Sequence, residues 1–273
     1  MSYQGMKYKA FLIKNITNMH VGSGDSTFGV VDKLVQRDPV TNYPAIYSSS
    51  LKGALREYCQ HETFTDYVFG KDSDNDTNKT SSPGQYRFFQ ANLLALPVRS
   101  NKKPYFMATT PSVLKDFINT LKDFGIQNET EEFKKIRDLS EIETDDDKVL
   151  IREETETKIE EWNSEYNNNI PEFSLYLGSD IVLFSETNFK ELTKSLPVIA
   201  RNNLENGQST NLWYEEIVPR QSRFYFISGQ GEKHGANFIQ KLEADNIQIG
   251  GISFRNQISN IYKFNYICSC SFN

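Results

Sequence analysis

"KYKAFLIK", residues 7–14, begins with polar and apolar positions in alternation and runs on through Ala10-Phe11-Leu12-Ile13, which predicts a strand. Residues 28–36 predict an extended segment, with Val30, Val31, Leu34 and Val35 supplying β-branched and aliphatic bulk. The period then changes. "SSSLKGALREYCQ" places Leu51, Leu55 and Tyr58 at i, i+4 and i+7 behind serines suited to capping, which predicts a helix. "KDSDNDTNKTSSPG", residues 71–84, is rich in turn formers with little to bury, so a loop is predicted. "YRFFQANLLALPVRS" and "PYFMATT" predict strands, and "TPSVLKDFINTLKDFG" predicts a helix from Pro111 to a stop at Gly125. "PEFSLYLGSDIVLF" returns to strand character. Two strand-like runs then flank Asn206-Gly207, a pair that favours the positive φ angles of tight hairpin turns. A short helix near 232–244 and closing strands around Gly250-Gly251 finish the chain. Strands and helices interleave without a strict βαβ period or an internal repeat, so the predicted class is α+β.

A length of 273 residues with 38% hydrophobic content is enough for a real core in one large or two modest domains. The start, "MSYQGMKYKAFLIKNITNMHVG", has no long apolar run and predicts neither a signal peptide nor a membrane span. Cys59, Cys268 and Cys270 lack zinc-site spacing, which fits a reducing cytoplasm and gives a Cys-His nucleophile no local support. The net charge of −6 is unevenly spread. Residues 129–165 hold fifteen Asp/Glu against six Lys/Arg, which leaves +3 for the rest of the chain. A polyanion meets the local field of that mildly basic body and not the chain total. The acidic stretch from 126 to about 170, helically periodic in places, reads as an insertion.

Candidate chemistry sits in three places. The helix beginning at Ser48-Ser49-Ser50 offers free amide N–H groups, Lys52 and Arg56 four apart on one face, and Gly53 for close backbone approach. Together they make a phosphate cradle; a capped helix with two solvated basic residues is the plainer alternative. No Walker spacing is present, so nucleotide hydrolysis has no support. Asp32 stands within a β-branched run, where an unpaired carboxylate is costly to bury. It therefore faces water, pairs with a base such as Arg37, or takes part in chemistry. Asp25 and Asp38 are further candidates of the same type. The Asn-Gly hairpin carries Trp213 and Tyr214, which can stack on bases or anchor the hairpin to the core, followed by Glu215 and Glu216. Lys14, Arg37, Arg99 and Arg201 fall at strand ends or turns, where basic side chains can track an RNA strand.

"HVGSGDSTFGVVDKLVQRDPVTNYPAIYSSSLKGALRE", "LLALPVRSNKKPYFMATTPSVL" and "LPVIARNN…LWYEE" together resemble the RAMP superfamily, specifically the repeated backbone subunit of type III-B CRISPR effector complexes. The resemblance runs from residue 19 to about 227. It implies a ferredoxin-like, RRM-related palm over 1–125 and 171–273, a thumb β-hairpin around 199–217, and a helical insertion over 126–170. It also implies copies stacking into a filament along a guide RNA, beside other subunits of the Cmr complex. In such proteins the Ser-Leu-Lys-Gly helix region contacts the guide backbone, which here falls on Ser50, Lys52, Gly53 and Arg56. The acid of the Val-Asp step is the catalytic residue for target RNA cleavage, which here is Asp32. His20, Tyr214 and Glu215 are secondary candidates for the same site, and Arg37, Arg201 and Trp213 for RNA contact.

The implied mechanism holds a kinked target nucleotide with its 2′-hydroxyl in line with the adjacent phosphorus. Asp32, directly or by holding Mg²⁺ or another divalent cation, helps activate the hydroxyl or stabilise the leaving oxygen. Two other readings differ in chemistry: a non-catalytic scaffold that coats guide RNA, and a ribonuclease that processes guide precursors. Two departures from the family pattern stand out. Asn256 and Ile258 replace glycines expected after the late Gly-Gly, and Gln90 precedes the Leu-Leu of the middle block where many members carry an acid. The aromatic motifs of ordinary RRM domains are missing, so stacking of single strands on the sheet face is not expected.

Overall fold

The computed structural model describes residues 6–25, 29, 31–71, 81–100, 103–126, 130–144, 176–244, 246–249 and 258–263. Residues 145–170 of the acidic stretch, Gly250-Gly251, Asn256, Cys268 and Cys270 lie outside them. Strands β1 (Lys7–Asn15), β2 (Gly22–Asp25), β3 (Lys33–Val35) and β4 (Ala45–Ile46) lead into helices α1 (Ser48–Tyr58) and α2 (Thr65–Phe69). Short strands β5 (Gly70–Lys71), β6 (Ser82–Pro83) and β7 (Arg87–Phe88) precede β8 (Ala91–Val98) and β9 (Phe106–Thr109). Helices α3 (Pro111–Asp123) and α4 (Glu131–Ser140) follow, then β10 (Ile181–Leu183) and α5 (Glu186–Lys194). Strands β11 (Val198–Glu205), β12 (Gln208–Glu216) and β13 (Arg223–Gln230), helix α6 (Gly235–Ala244), and strands β14 (Ile247–Gln248) and β15 (Ile258–Lys263) complete the described chain.

The class is mixed α+β, built on one large sheet of order β10-β9-β8-β13-β1-β15-β14, with β4 on β8 and β7 on β13. Its centre is the antiparallel pair of β1 and β13, in which Phe11 lies opposite Phe226. Every residue of β13 is buried, because helices cover both sheet faces. That is why "RFYFIS" reads as a continuous run and not an alternation. The Phe11 and Phe226 rings stack 5.1 Å apart. On that face Phe88 of β7 meets Phe69 of α2 at 5.3 Å and Phe238 of α6 at 6.0 Å. On the opposite face Tyr225 packs against Phe117 of α3 at 4.7 Å, and Phe117 in turn meets Phe133 of α4. No helix among the described residues is long and apolar enough to cross a membrane. Cys59 is a buried free thiol whose pKa burial pushes up to about 12, so it is no nucleophile at neutral pH.

The helix at 111–123 begins with Pro111, buries Val113, Leu114, Phe117 and Leu121, and ends before Gly125 at φ 66°. Its other face borders a cleft of about 340 Å³ lined by Asp38, Thr41, Asn92, Asp116, Asp123 and Tyr225, among others. Burial works against the Asp38 carboxylate, but N–H groups of Thr41 and Val40 and the Gln90 amide hold its pKa below the ordinary value. Gln90 thus donates where an acid would repel. Asp116 is shifted upward, by burial first and then by the charges of Asp38 and Glu186. For an acid whose folded pKa exceeds the unfolded one, ionisation costs stability at neutral pH, and that cost disappears as pH falls through the raised value. Asp116→Asn is therefore expected to stabilise the fold at pH 7 by roughly a few tenths of a kcal/mol for a solvent-screened site, read as a small rise in thermal midpoint. The gain should vanish below the ordinary carboxylate pKa when melting is followed against pH.

Candidate nucleic-acid interface

A second sheet, of order β11-β12-β3-β2, stands beside the large one. Its hairpin, β11 with β12, turns at Asn206 (φ 52°) and Gly207 (φ 81°), the two positive angles that a twisted two-residue hairpin loop demands. Alternation places Leu212 and Tyr214 on one hairpin face and Trp213 and Glu215 on the other. The first face is open: Tyr214 is 41% exposed, Leu212 55% and Leu204 60%. Large apolar side chains left to solvent on a hairpin mark an interaction surface and not a core.

The root of the hairpin meets the segment that carries Asp32. Asp32 is exposed, and its backbone N–H donates to the Tyr214 carbonyl at 3.0 Å. The Tyr214 N–H donates back to Asp32 Oδ2 at 2.7 Å. Next along, the buried Glu216 accepts the Val35 N–H at Oε2 (3.0 Å) and the Arg37 guanidinium at Oε1 (2.5 Å). Arg37 also donates to the carbonyls of Thr193 (2.9 Å) and Asn42 (3.0 Å). The Nδ1 of buried His20 lies 2.7 Å from the Glu216 carbonyl. A carbonyl only accepts, so Nδ1 carries the proton of this bond. Gly22 leaves room for that ring, since a Cβ there would stand 3.0 Å from Nε2.

Glu215 lies elsewhere. Its fully buried carboxylate receives the Trp213 Nε1–H at 2.6 Å and sits 3.4 Å from Arg201 Nε and 3.9 Å from Lys33 Nζ. The Lys33 ammonium stands 5.2 Å from the centre of the Trp213 ring. Two half-buried cations around one acid leave this face net positive, with an indole beside them.

Helix α1 is capped differently from the sequence expectation. Tyr47, and not a serine, occupies the N-cap, and its N–H donates to Gln36 Oε1 at 2.7 Å; the serines form the first helical turn. Gln36 Nε2 donates to Ser50 Oγ (2.8 Å) and to the Gly22 carbonyl (3.1 Å), tying the helix start to the Asp32 segment. Leu51 and Leu55 are buried, and Lys52 and Arg56 stand half-exposed on one flank of the helix, beside the exposed Gly53. A Cβ at Gly53 would meet nothing within 4 Å, so this surface is open to a close approach.

Of the residues singled out from sequence, the fold joins Asp32, Tyr214, His20 and Arg37 at the hairpin root and links Ser50 to them through Gln36. It sends Glu215, Trp213 and Arg201 to the hairpin's other face. Gln36 and Lys33 were missed and Glu216 was noted without a role, because partners more than ten residues away or on another strand define them and no local spacing does. No group of three or more His, Cys, Asp or Glu side chains among the described residues is placed to enclose a cation. At the hairpin root Asp32 would offer a divalent cation a single carboxylate oxygen, with water and phosphate oxygens completing the shell, a mode suited to Mg²⁺.

Residues 12–258 match the model of the RAMP superfamily. The chain belongs to this family. This RAMP chain is 29% identical to the CRISPR system Cmr endoribonuclease Cmr4 of Pyrococcus furiosus, over 89% of its own length and 91% of the relative's. It is 27% identical to the CRISPR system CMR subunit Cmr4 of Saccharolobus solfataricus, over 84% and 87%. In fold it resembles a chain of the type III-B Cmr-β complex bound to cognate target RNA, with TM-score 0.71, 24% identity, and 94% and 96% of the two chains covered. It also resembles oligomeric Cmr4 from Pyrococcus furiosus, with TM-score 0.63, 21% identity, and 96% and 100% covered.

Proposed function

We propose that this chain is a repeated backbone subunit of the type III-B CRISPR (Cmr) complex, which binds guide RNA and cleaves complementary target RNA with Asp32 at the reacting link. The observation that carries the reading is the exposed Asp32 carboxylate fixed at the root of a hairpin with an open apolar face. Relatives named Cmr4 and Cmr endoribonuclease support it. In this reading the large sheet is a ferredoxin-like palm, the hairpin is the thumb, and the acidic stretch over 126–170 is an insertion. Partners are guide RNA, target RNA, further copies of the chain and other Cmr subunits.

Each residue's task follows from its surroundings. The apolar thumb face, Leu212 and Tyr214, wedges against bases and splays a target nucleotide, so that its 2′-hydroxyl comes into line with the neighbouring phosphorus. Tyr214 N–H holds Asp32 Oδ2, which leaves Oδ1 to take the hydroxyl proton as the 2′-oxygen attacks phosphorus; the P–O5′ bond breaks, leaving a 2′,3′-cyclic phosphate and a 5′-hydroxyl whose proton comes from water. His20 acts through the backbone, by bonding the Glu216 carbonyl and steadying the strand behind Asp32. A bound divalent cation would add charge stabilisation at the phosphate. On the other thumb face Glu215 orients Arg201, Lys33 and Trp213 toward the nucleic-acid backbone and does not itself reach the reacting atoms. Helix α1 supplies Lys52 and Arg56 to the guide.

The test is guide binding against salt. Replacing Lys52 and Arg56 together by alanine is expected to weaken guide RNA binding and to reduce the slope of log K against log salt by about 2, roughly one for each phosphate contact. A salt response that is flat in the parent, or unchanged in the double variant, would count against the assignment.

A further inference from the structure

The contact between β3 and β12 is parallel and has a single registered pair, Glu215 with Lys33. A ladder that short is weakly held by backbone alone. Two carboxylates complete it from opposite strands. Asp32, on the β3 side, accepts the Tyr214 N–H of β12 at 2.7 Å, and Glu216, on β12, accepts the Val35 N–H of β3 at 3.0 Å. The two bonds bracket the registered pair and form a reciprocal clasp. They differ in environment: Asp32 is open to water, whereas Glu216 is 4% exposed and locked by Arg37 at 2.5 Å. Arg37 carries the lock further, donating to the Thr193 carbonyl in the last turn of α5, the helix that leads directly into β11. A cation at a helix C-terminus is favoured by the exposed carbonyls there. The Glu216 carbonyl is held as well, by His20.

From this we infer that Glu216, with Arg37, is the positioning residue of the cleavage site: it fixes the hairpin root against β3 and thereby sets the direction of the Asp32 carboxylate. The inference rests on the reading of Asp32 as the residue at the reacting link. Because Oδ2 of Asp32 is bonded to the hairpin backbone, any tilt of the hairpin carries the carboxylate with it. Glu216 prevents that tilt in the resting molecule and confines the acid to one orientation as the target is splayed. The misplacement that follows its loss falls in the range where about 1 Å costs on the order of a hundredfold in rate.

The experiment uses the assembled complex with guide RNA and a single-turnover cleavage assay, with target affinity and guide occupancy measured in parallel. Glu216→Ala is expected to lower the cleavage rate about ten- to hundredfold while occupancy and affinity stay at parental values. Glu216→Gln should recover part of the loss, since its amide oxygen still accepts the Val35 N–H. In an Asp32→Ala background Glu216→Ala should add no further loss, because a residue that acts only through Asp32 has nothing left to position. Backbone amide exchange in the protein alone supplies an independent readout: Glu216→Ala should speed exchange at Tyr214 as well as at Val35. A parental cleavage rate in Glu216→Ala, a full additional loss in the Asp32→Ala background, or unchanged exchange at Tyr214 would overturn the inference. A parental rate in Asp32→Ala alone would instead overturn the functional reading, leaving the clasp to be judged by exchange.

Discussion

Asp32→Ala in the assembled complex is expected to reduce target RNA cleavage by about 10²- to 10⁴-fold, the usual contribution of a positioned general acid or base. Guide RNA should remain bound, because Lys52 and Arg56 lie on α1 and the substitution leaves that helix untouched. The fold should also persist. Asp32 is exposed, and the side-chain bond lost, to the Tyr214 N–H, is worth about 1 kcal/mol in a site where water can replace it. Asp32→Asn separates charge from placement. The amide oxygen still accepts from Tyr214, so the hairpin root is preserved while the proton acceptor is gone. Its cleavage should fall within tenfold of the alanine variant. Single-turnover cleavage with guide occupancy as the control decides the matter, and a parental rate in Asp32→Ala would leave the chain a scaffold.

Phe226→Ala should have the largest effect on stability, about 3–5 kcal/mol, because it removes a ring with no exposed surface from the middle of the central strand pair. The stacked Phe11 ring loses its partner, and the helices behind it, α2 and α6, pack through Phe69 and Phe238 against Phe88 on the same face. Close-packed surroundings relax only partly, so a cavity remains. For a chain of this size the thermal midpoint should drop by about 10 °C. A loss smaller than about 2 kcal/mol in denaturant unfolding would mean that the sheet centre collapses around the gap. Cleavage should fail with it, since β1 and β13 end at the two chain segments that carry His20 and Glu216 into the site.

Much of the secondary structure was legible where local physics dictates it. Pro111 and Gly125 bound a helix with the expected buried stripe, and Asn206-Gly207 occupies positive φ at a tight turn. The helix at 186–194 was not anticipated, although Ser185 caps it by accepting the Asn188 N–H. Its "ETNFKELTK" buries only Phe189 and Thr193, too thin a stripe to announce a period. The serines before Leu51 were expected as the cap and became the first turn, because Gln36 supplies the acceptor for the Tyr47 N–H from another segment. Among the described residues of the extended segment at 28–36, Lys33–Val35 alone is strand, since its partner β12 reaches it at a single register.

Taken alone, the sequence determined the mixed α+β class, the periodic helices, the hairpin turn and the lone acid at residue 32, all of which follow from the steric and apolar demands of neighbouring residues. Only the tertiary structure decided that Asp32 and Tyr214 share a joint while Glu215 turns away to Arg201 and Lys33, and that Glu216 and Gln36 hold the joint together. The reason is that strand alternation sends adjacent residues to opposite faces, and that a buried carboxylate or amide takes its partners from segments far away in the chain.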